Sequence, residues 1–440
     1  MSEFVELRVG DHVGFLSGFP FSSGYFNNEK GVRLIRIRDL LGGDDNVIYF
    51  SGPFDPRWLV AEDDVLIGMD GDFNIVRWKN EPALLNQRIL KVEGRPNSGI
   101  THAYFYHWCG PRLLEIHART AATTVKHLSV RDLERAVGSF PSVEEQRRIA
   151  TILTTLDEVI EATEKLVEKH QQIKAGLMHD LFTRGLWTRP ELARGDHKGL
   201  PCEATAQEYQ LRPPPEEAPG LYQGSKVGLI PKEWGVKPLA DYTQHDITYG
   251  IVQAGPHVEG GIPYIRTGDM SGDELIREGM LCTSPLIAAS YSRSQIRSGE
   301  IVCAIRATVG KVLPVPIDLD GANLTQGTAR IAPNSRTHSG FLLWAMRSAR
   351  VQREISLTIK GTTFMEITLS DLRKLPVGSP KSYDEQEAIA ARLDACDTAI
   401  SENRTHLAKL RQQKQGLMHD LLTGRVRVAE PWQDVIQQSL

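Results

Sequence analysis

The six letters GLMHDL occur twice in this chain, at 176–181 and at 416–421. They belong to a longer repeat. At an offset of 240, residues 145–181 align with 385–421 without a gap, and sixteen of the thirty-seven positions are identical. A period of half a molecule is too long for a solenoid, so the chain reads as a duplicated protein. Whatever one half folds into, the other must fold into as well.

The repeated stretch is helical. Ser142 with Glu145, and Ser382 with Glu385, read S-x-x-E at the same relative place. This is a capping box, in which the hydroxyl takes a first-turn N–H and the carboxylate returns the bond. From there the apolar spacing alternates four and three. It runs through Ile149, Leu153, Leu156 and Ile160 to Leu177 and Leu181, and through Ile389, Leu393, Cys396 and Ile400 to Leu417 and Leu421. That is a heptad seam in both copies. Thr163, Asn403, Lys174 and Lys414 interrupt it with polar groups, and Gly185 and Gly424 are stop signals. Each helix spans about 40 residues, or about 60 Å. Pairing of the two seams, antiparallel about a pseudo-two-fold axis, is the arrangement expected. Two helices that each pack on their own domain are the alternative.

The globular parts repeat more faintly. Residues 31–39 resemble 261–269, Leu85 to Gln87 sits like Leu324 to Gln326, and Thr123, Thr124 and Leu128 correspond to Thr362, Thr363 and Ile367. Residues 60–69 and 296–305 read as buried strands entered by an acidic turn. Residues 339–355 read as one amphipathic helix, with 103–108 as its weaker counterpart. Between the halves, 186–230 contains RPPPEEAPG and reads as a partly extended linker.

Composition narrows the class. Hydrophobic residues make up 41% and charged residues 24%, an ordinary globular mixture, and the net charge is −4. Any nucleic-acid surface must therefore be local. The five cysteines are scattered without a C-x-x-C pair, which argues against a zinc site and a disulfide framework. No apolar run long enough to span a membrane occurs, and a cytoplasmic protein is expected. Searches for catalysis fail. Residues 307–311 lack the first glycine and the closing Ser/Thr of a P-loop, and no G-x-S-x-G or H-E-x-x-H occurs. His179 and His419 fall in last helical turns, where a histidine meets free carbonyls rather than a substrate.

GLIPKEW (228–234), GTTFMEITLSDL (361–372), EQEAIAARLDACDTAI (385–400) and QQKQGLMHDLLTGR (412–425) together resemble the DNA specificity subunit of type I restriction–modification systems. The resemblance covers nearly the whole chain. It implies two target recognition domains, each reading half of a split DNA site, held apart by two helices that dock two adenine-methylating modification subunits. Restriction subunits join through the complex. No catalysis and no cofactor are expected on this chain; S-adenosylmethionine, ATP and Mg belong to the partner subunits.

The fold class expected is α+β: two mixed α/β target recognition domains separated by two long antiparallel coiled-coil helices. The boundaries are 1–140 and 231–380 for the domains, 141–185 and 381–425 for the helices, 186–230 for the linker and 426–440 for a tail. Candidate DNA contacts are Arg36, Arg38, Gln87, Arg88, Thr123, Thr124 and Lys126 in the first half. In the second they are Arg266, Thr267, Arg306, Gln326, Lys360, Thr362 and Thr363. Arginine suits guanine and glutamine suits adenine, while Gly-Thr-Thr suits a phosphate. An ion-pair arginine, a buried amide and a plain turn are the respective alternatives. Arg336, Arg347, Arg350, Arg353 and Lys360 are a possible phosphate-tracking face, or else a solvated helix surface. Candidate partner-docking residues are Leu177, Met178, His179 and Phe182, with Leu417, Met418, His419 and Leu422. A duplicated scaffold without DNA, and a stand-alone DNA-binding regulator, are the competing functions.

Overall fold

In the computed structural model, the described residues are 4–42, 46–96, 98–120, 126–188, 209–359 and 365–428. The protein is mixed α/β and divides into two compact units. One draws on Met1–Lys165 and Thr405–Leu440, the other on Leu166–Arg404. Two long helices, Val143–Arg184 and Tyr383–Leu422, each contribute residues to both units. Gly185 and Gly424 follow them at φ 64° and 74°, left-handed values that end a helix with little strain only at glycine.

The first unit carries a four-stranded antiparallel sheet in the order Val13–Ser17, Ile89–Gly94, Val65–Gly68, Ile75–Arg77. A second sheet contains the parallel pair Val32–Ile35 and Ala83–Leu85, with Leu34 opposite Leu84. Val65–Gly68 and Ala83–Leu85 are buried throughout, as their unbroken apolar runs require. Val5–Arg8 pairs with Val137–Phe140 at the domain's two chain ends.

The second unit repeats this plan. Its four-stranded sheet runs Thr248–Tyr249, Thr328–Ile331, Ile301–Ala304, Val312–Pro314. Ile262–Ile265 lies parallel to Asn323–Leu324, and Gly235–Pro238 pairs with Pro376–Ser379.

Several sequence expectations change. The strand over 60–69 is two strands, Leu59–Val60 and Val65–Gly68, because Asp63 adopts φ 68° and Asp64 accepts the Ala61 N–H in the intervening turn. The amphipathic helix over 339–355 is two helices, Ser339–Arg347 and Ala349–Thr358, since the Ser348 hydroxyl caps the second by accepting from the Val351 N–H. Its first-half counterpart is longer than expected: His102–Arg119 is one helix with Pro111 inside it.

The expected linker is also largely structured where it is described. Leu186–Thr188 pairs with Tyr209–Leu211, and Tyr222–Ser225 forms a hairpin with Gly228–Pro231. Tyr222, Val227 and Ile230 are buried, and Val227 and Ile230 join the second unit's core.

The serine hydroxyls cap both long helices as expected, accepting from the N–H of Glu145 and of Glu385. The two carboxylates go elsewhere. In the first unit Glu145 is clasped by the Arg427 guanidinium and by the Val428 N–H, so the chain after the second helix is fastened at the start of the first. In the second unit Glu385 Oε1 accepts from the Leu186 N–H at 2.8 Å, the Arg212 guanidinium at 2.8 Å and the Trp234 indole N–H at 3.0 Å. A buried carboxylate is tolerated when its lone pairs are filled by such donors.

Within each unit the helix segments meet in reversed order. In the first, Asp157 pairs with Lys414 and Glu164 with Arg411. In the second, Lys174 pairs with Asp397, and Glu385 reaches the chain just past the other helix's end. Thr163 and Asn403 satisfy their polar ends on their own helices, donating to the carbonyls of Val159 and Ala399. The helix ends feed the cores. Leu421 joins the first unit's core around Phe105, Trp108 and Leu153, and Leu181 and Phe182 join the second unit's around Phe341, Trp344 and Leu393.

Candidate nucleic-acid interface

Three backbone bonds define the same small frame in each unit. In the first, the Met69 N–H donates to the Arg88 carbonyl, the Leu128 N–H to the Met69 carbonyl and the Gly71 N–H to the Lys126 carbonyl. In the second, the Ile305 N–H donates to Gly327, the Ile367 N–H to Ile305 and the Ala307 N–H to Met365. Asp70 and His127 thus occupy the places of Arg306 and Glu366, and both pairs form isolated bridges.

The side chains on these frames differ. Asp70 Oδ1 lies 2.6 Å from His127 Nδ1 and 3.8 Å from Arg88 Nη1, and His127 Nδ1 lies 3.3 Å from Arg88 Nη1. In the second unit Arg306 Nε donates to Glu366 Oε2 at 3.1 Å. Among the described residues, the Arg306 Nη groups and Glu366 Oε1 have no partner, and both side chains are nearly half exposed. Gln87 and Gln326 stand next to these frames, exposed, which removes the buried-amide alternative. Thr267 is beside Gly327: a Cβ added there would meet its Cγ2 at 3.1 Å. The fold therefore gathers Gln87 and Arg88 in one unit, and Thr267, Arg306 and Gln326 in the other.

Other candidates are placed differently. Arg36 and Arg266 fold back on Asp39 and Asp269. Each Nε and Nη2 donates to the carboxylate, and each backbone N–H joins them, at 2.7 to 3.1 Å. These arginines clamp a turn after a strand, and the Asp269 hydrogen bond raises the Arg266 pKa further. Lys126 Nζ donates to the His117 carbonyl at 2.6 Å, whereas Arg38 is exposed. Thr123, Thr124, Lys360, Thr362 and Thr363 lie outside the described residues.

Among the described residues, the phosphate-tracking candidates do not form one surface. Arg347 donates to the Val312 carbonyl and stacks on Trp344, and Arg350 donates to the Leu229 carbonyl and the Thr183 hydroxyl. Burial lowers the pKa of both. Arg336 and Arg353 remain exposed. Arg347 closes one helix and Arg350 lies in the first turn of the next, on either side of Ser348, and both are partly buried.

The docking candidates split in the same way. Phe182 is 5% exposed, packed 5.6 Å from the Phe341 ring, so it is core rather than surface. Leu177 and Met178 rest against that core, as Met418 and Leu422 rest against the other. His179, Leu417 and His419 face solvent. Met178 and His179 also line a cleft of about 260 Å³ with Arg347 and Arg350.

Sequence reasoning missed Asp70, His127 and Glu366. Their partners are 57 and 60 residues away along the chain, beyond any local pattern. The one available signal was the repeat: each of His127 and Glu366 immediately precedes an aligned apolar residue, Leu128 or Ile367.

Two like-folded units with unlike exposed polar frames, each including segments of both long helices, define an internally duplicated two-unit protein. Comparison with known proteins agrees. The family model described as type I restriction modification DNA specificity domain matches residues 1–174 and 231–412. The type I restriction enzyme EcoBI specificity subunit of Escherichia coli is 30% identical over 96% of this chain and 86% of its own length. The MjaVIII specificity subunit of Methanocaldococcus jannaschii is 24% identical over 84% and 80%. A crystal structure of a type I restriction–modification S subunit from M. genitalium shares the fold, with TM-score 0.61 at 14% identity over 96% of both chains. The chain belongs to the type I restriction–modification DNA specificity family.

Among the described residues no helix is long and apolar enough to cross a membrane, and no cluster of His, Cys, Asp and Glu suits a metal ion.

Proposed function

We propose that this chain is the non-catalytic, DNA-recognising subunit of a cytoplasmic type I restriction–modification complex. Each domain reads one half of a bipartite double-stranded site. The two long helices form an antiparallel coiled coil with pseudo-two-fold symmetry, set the gap between the half-sites and dock two adenine-methylating modification subunits. Restriction subunits associate through that complex. S-adenosylmethionine, ATP and Mg act on those partners.

The observation that carries this reading is the pair of identical backbone frames bearing different side chains. One fold used twice with altered polar groups suits two half-sites that differ in sequence. The helices, 42 and 40 residues long, are about 60 Å each, enough to bridge successive major-groove visits about 34–36 Å apart. The exposed His179, Leu417 and His419 at the two helix ends are the parts of the repeated word left for a partner. Co-expression with the modification subunit, followed by sequencing of methylated adenines, tests the proposal. One split motif with a fixed gap is expected; methylation without a motif, or none at all, contradicts it.

A further inference from the structure

The two frames differ in a coordinated way. In the second unit the guanidinium comes from Arg306, and the position equivalent to Arg88 is Gly327, where an added Cβ would meet Thr267 Cγ2 at 3.1 Å. In the first unit the place of Arg306 is taken by Asp70, whose Oδ1 lies 2.6 Å from His127 Nδ1, and the guanidinium comes instead from Arg88, 3.8 Å from Asp70 Oδ1 and 3.3 Å from His127 Nδ1. Both arrangements set one guanidinium beside one carboxylate at the same spot in the fold, built from exchanged positions. Both also hold strained backbone there. Arg88 has φ 72° and Ala307 φ 60°, left-handed values that non-glycine residues keep only when the surroundings over-determine them.

Resting on the DNA-recognition reading above, we propose that these guanidinium–carboxylate pairs are base-reading elements, each matched to a G·C pair in the major groove. Guanine presents N7 and O6 as acceptors there, and its cytosine partner presents the N4 amino group as a donor beside O6. A guanidinium next to a carboxylate presents the reverse: a donor fork flanked by an acceptor. Adenine would set its N6 donor against the guanidinium, and thymine its O4 acceptor against the carboxylate, so an A·T pair is rejected at both groups. In the second unit the Arg306–Glu366 hydrogen bond also orients the two side chains before binding, which reduces the ordering that binding must impose. The Arg306 Nη groups and Glu366 Oε1, without a partner among the described residues, are the atoms left to meet the bases.

The test uses the full chain assembled with its modification subunits, and reads base preference at every position by selection from randomised duplexes. Arg306→Ala and Glu366→Ala are expected to relax the same single G·C position in one half-site. Arg88→Ala should relax one G·C position in the other half-site. The loss of discrimination is roughly 5- to 100-fold in each case. Arg306→Lys, which keeps the charge but not the fork, should relax that position as well, and unchanged melting temperatures show that the variants fold. Uniform weakening on all sequences would make these phosphate contacts and overturn the inference, as would an unchanged motif or relaxation at an A·T position. If the unsubstituted assembly selects no motif, the DNA-recognition reading itself falls; if it selects one that all variants keep, only this inference falls.

Discussion

Lys414 Nζ stands 2.5 Å from Asp157 Oδ1, and 240 residues away in the sequence Lys174 makes the same bond to Asp397. Each lysine is a polar interruption in its own helix seam, and each finds its carboxylate on the other helix. A half-buried ion pair adds little net stability, but a misregistered seam would leave both charges without a partner.

Removing one member should therefore cost more than removing both. Lys414→Met leaves Asp157 in the seam without its cation and should destabilise the first unit by about 1–3 kcal/mol. The double variant Lys414→Met with Asp157→Leu should recover most of that loss. Thermal denaturation of the four proteins in a double-mutant cycle measures the coupling.

The first unit should weaken in mild acid through His107. That imidazole is 2% exposed, and burial, then the charges of Lys414 and Arg77, push its pKa down to about 3. The unfolded chain, with an ordinary value of about 6.5, binds the proton that the folded chain refuses. Stability is thus complete above about pH 6.5 and declines as pH falls from there toward 3, by about 1.4 kcal/mol per pH unit at steepest. His107→Gln should flatten this dependence between pH 4 and 6.5 in pH-dependent denaturation. An unaltered slope would rule out His107 as its source.

Glu145 gives a second, lower window. Hydrogen bonds from Arg427 hold its carboxyl below the usual range. Its contribution is present above the unfolded value of about 4.3 and is lost as pH falls through the lower folded value. Glu145→Gln should destabilise the protein by about 1–3 kcal/mol at pH 7, and the difference from the parent should shrink below pH 4. The same measurement on Arg427→Ala should give a similar profile.

Glu385 is the more demanding position, because three donors converge on one buried oxygen. Glu385→Ala removes the buried carboxylate partner of Arg212, leaving it the Arg184 carbonyl and the half-exposed Glu233 3.8 Å away, and should cost about 3–5 kcal/mol. Trp234→Phe removes only one neutral donor and should cost about 1–2 kcal/mol by the same denaturation assay.

Lengthening both helices tests the spacing role. Four residues inserted after Thr163 and four after Asn403 add about 6 Å to each helix, close to two base-pair steps of about 3.4 Å. The methylated motif should keep both half-sites and widen its gap. A gap of unchanged length would reject the helices as the spacer.

The duplication, the two long helices and their ends could be read directly from the chain, because each is written in local spacing. Leu153, Leu393, Gly185 and Gly424 follow from a 3.6-residue repeat and from the backbone freedom of glycine. The choice of arginines to face solvent could not. Arg36 and Arg306 look alike in sequence, yet a carboxylate three residues on folds Arg36 inward, while Glu366, sixty residues away, leaves half of Arg306 free. Likewise Ser142 and Glu145 spell a capping box, and the serine obeys it, but Arg427 arrives from the far end of the chain and takes the carboxylate. Sequence by itself determined what short-range backbone bonding and periodic burial dictate. The tertiary structure decided which charges neutralise one another, because that depends on distances between residues that local patterns do not connect.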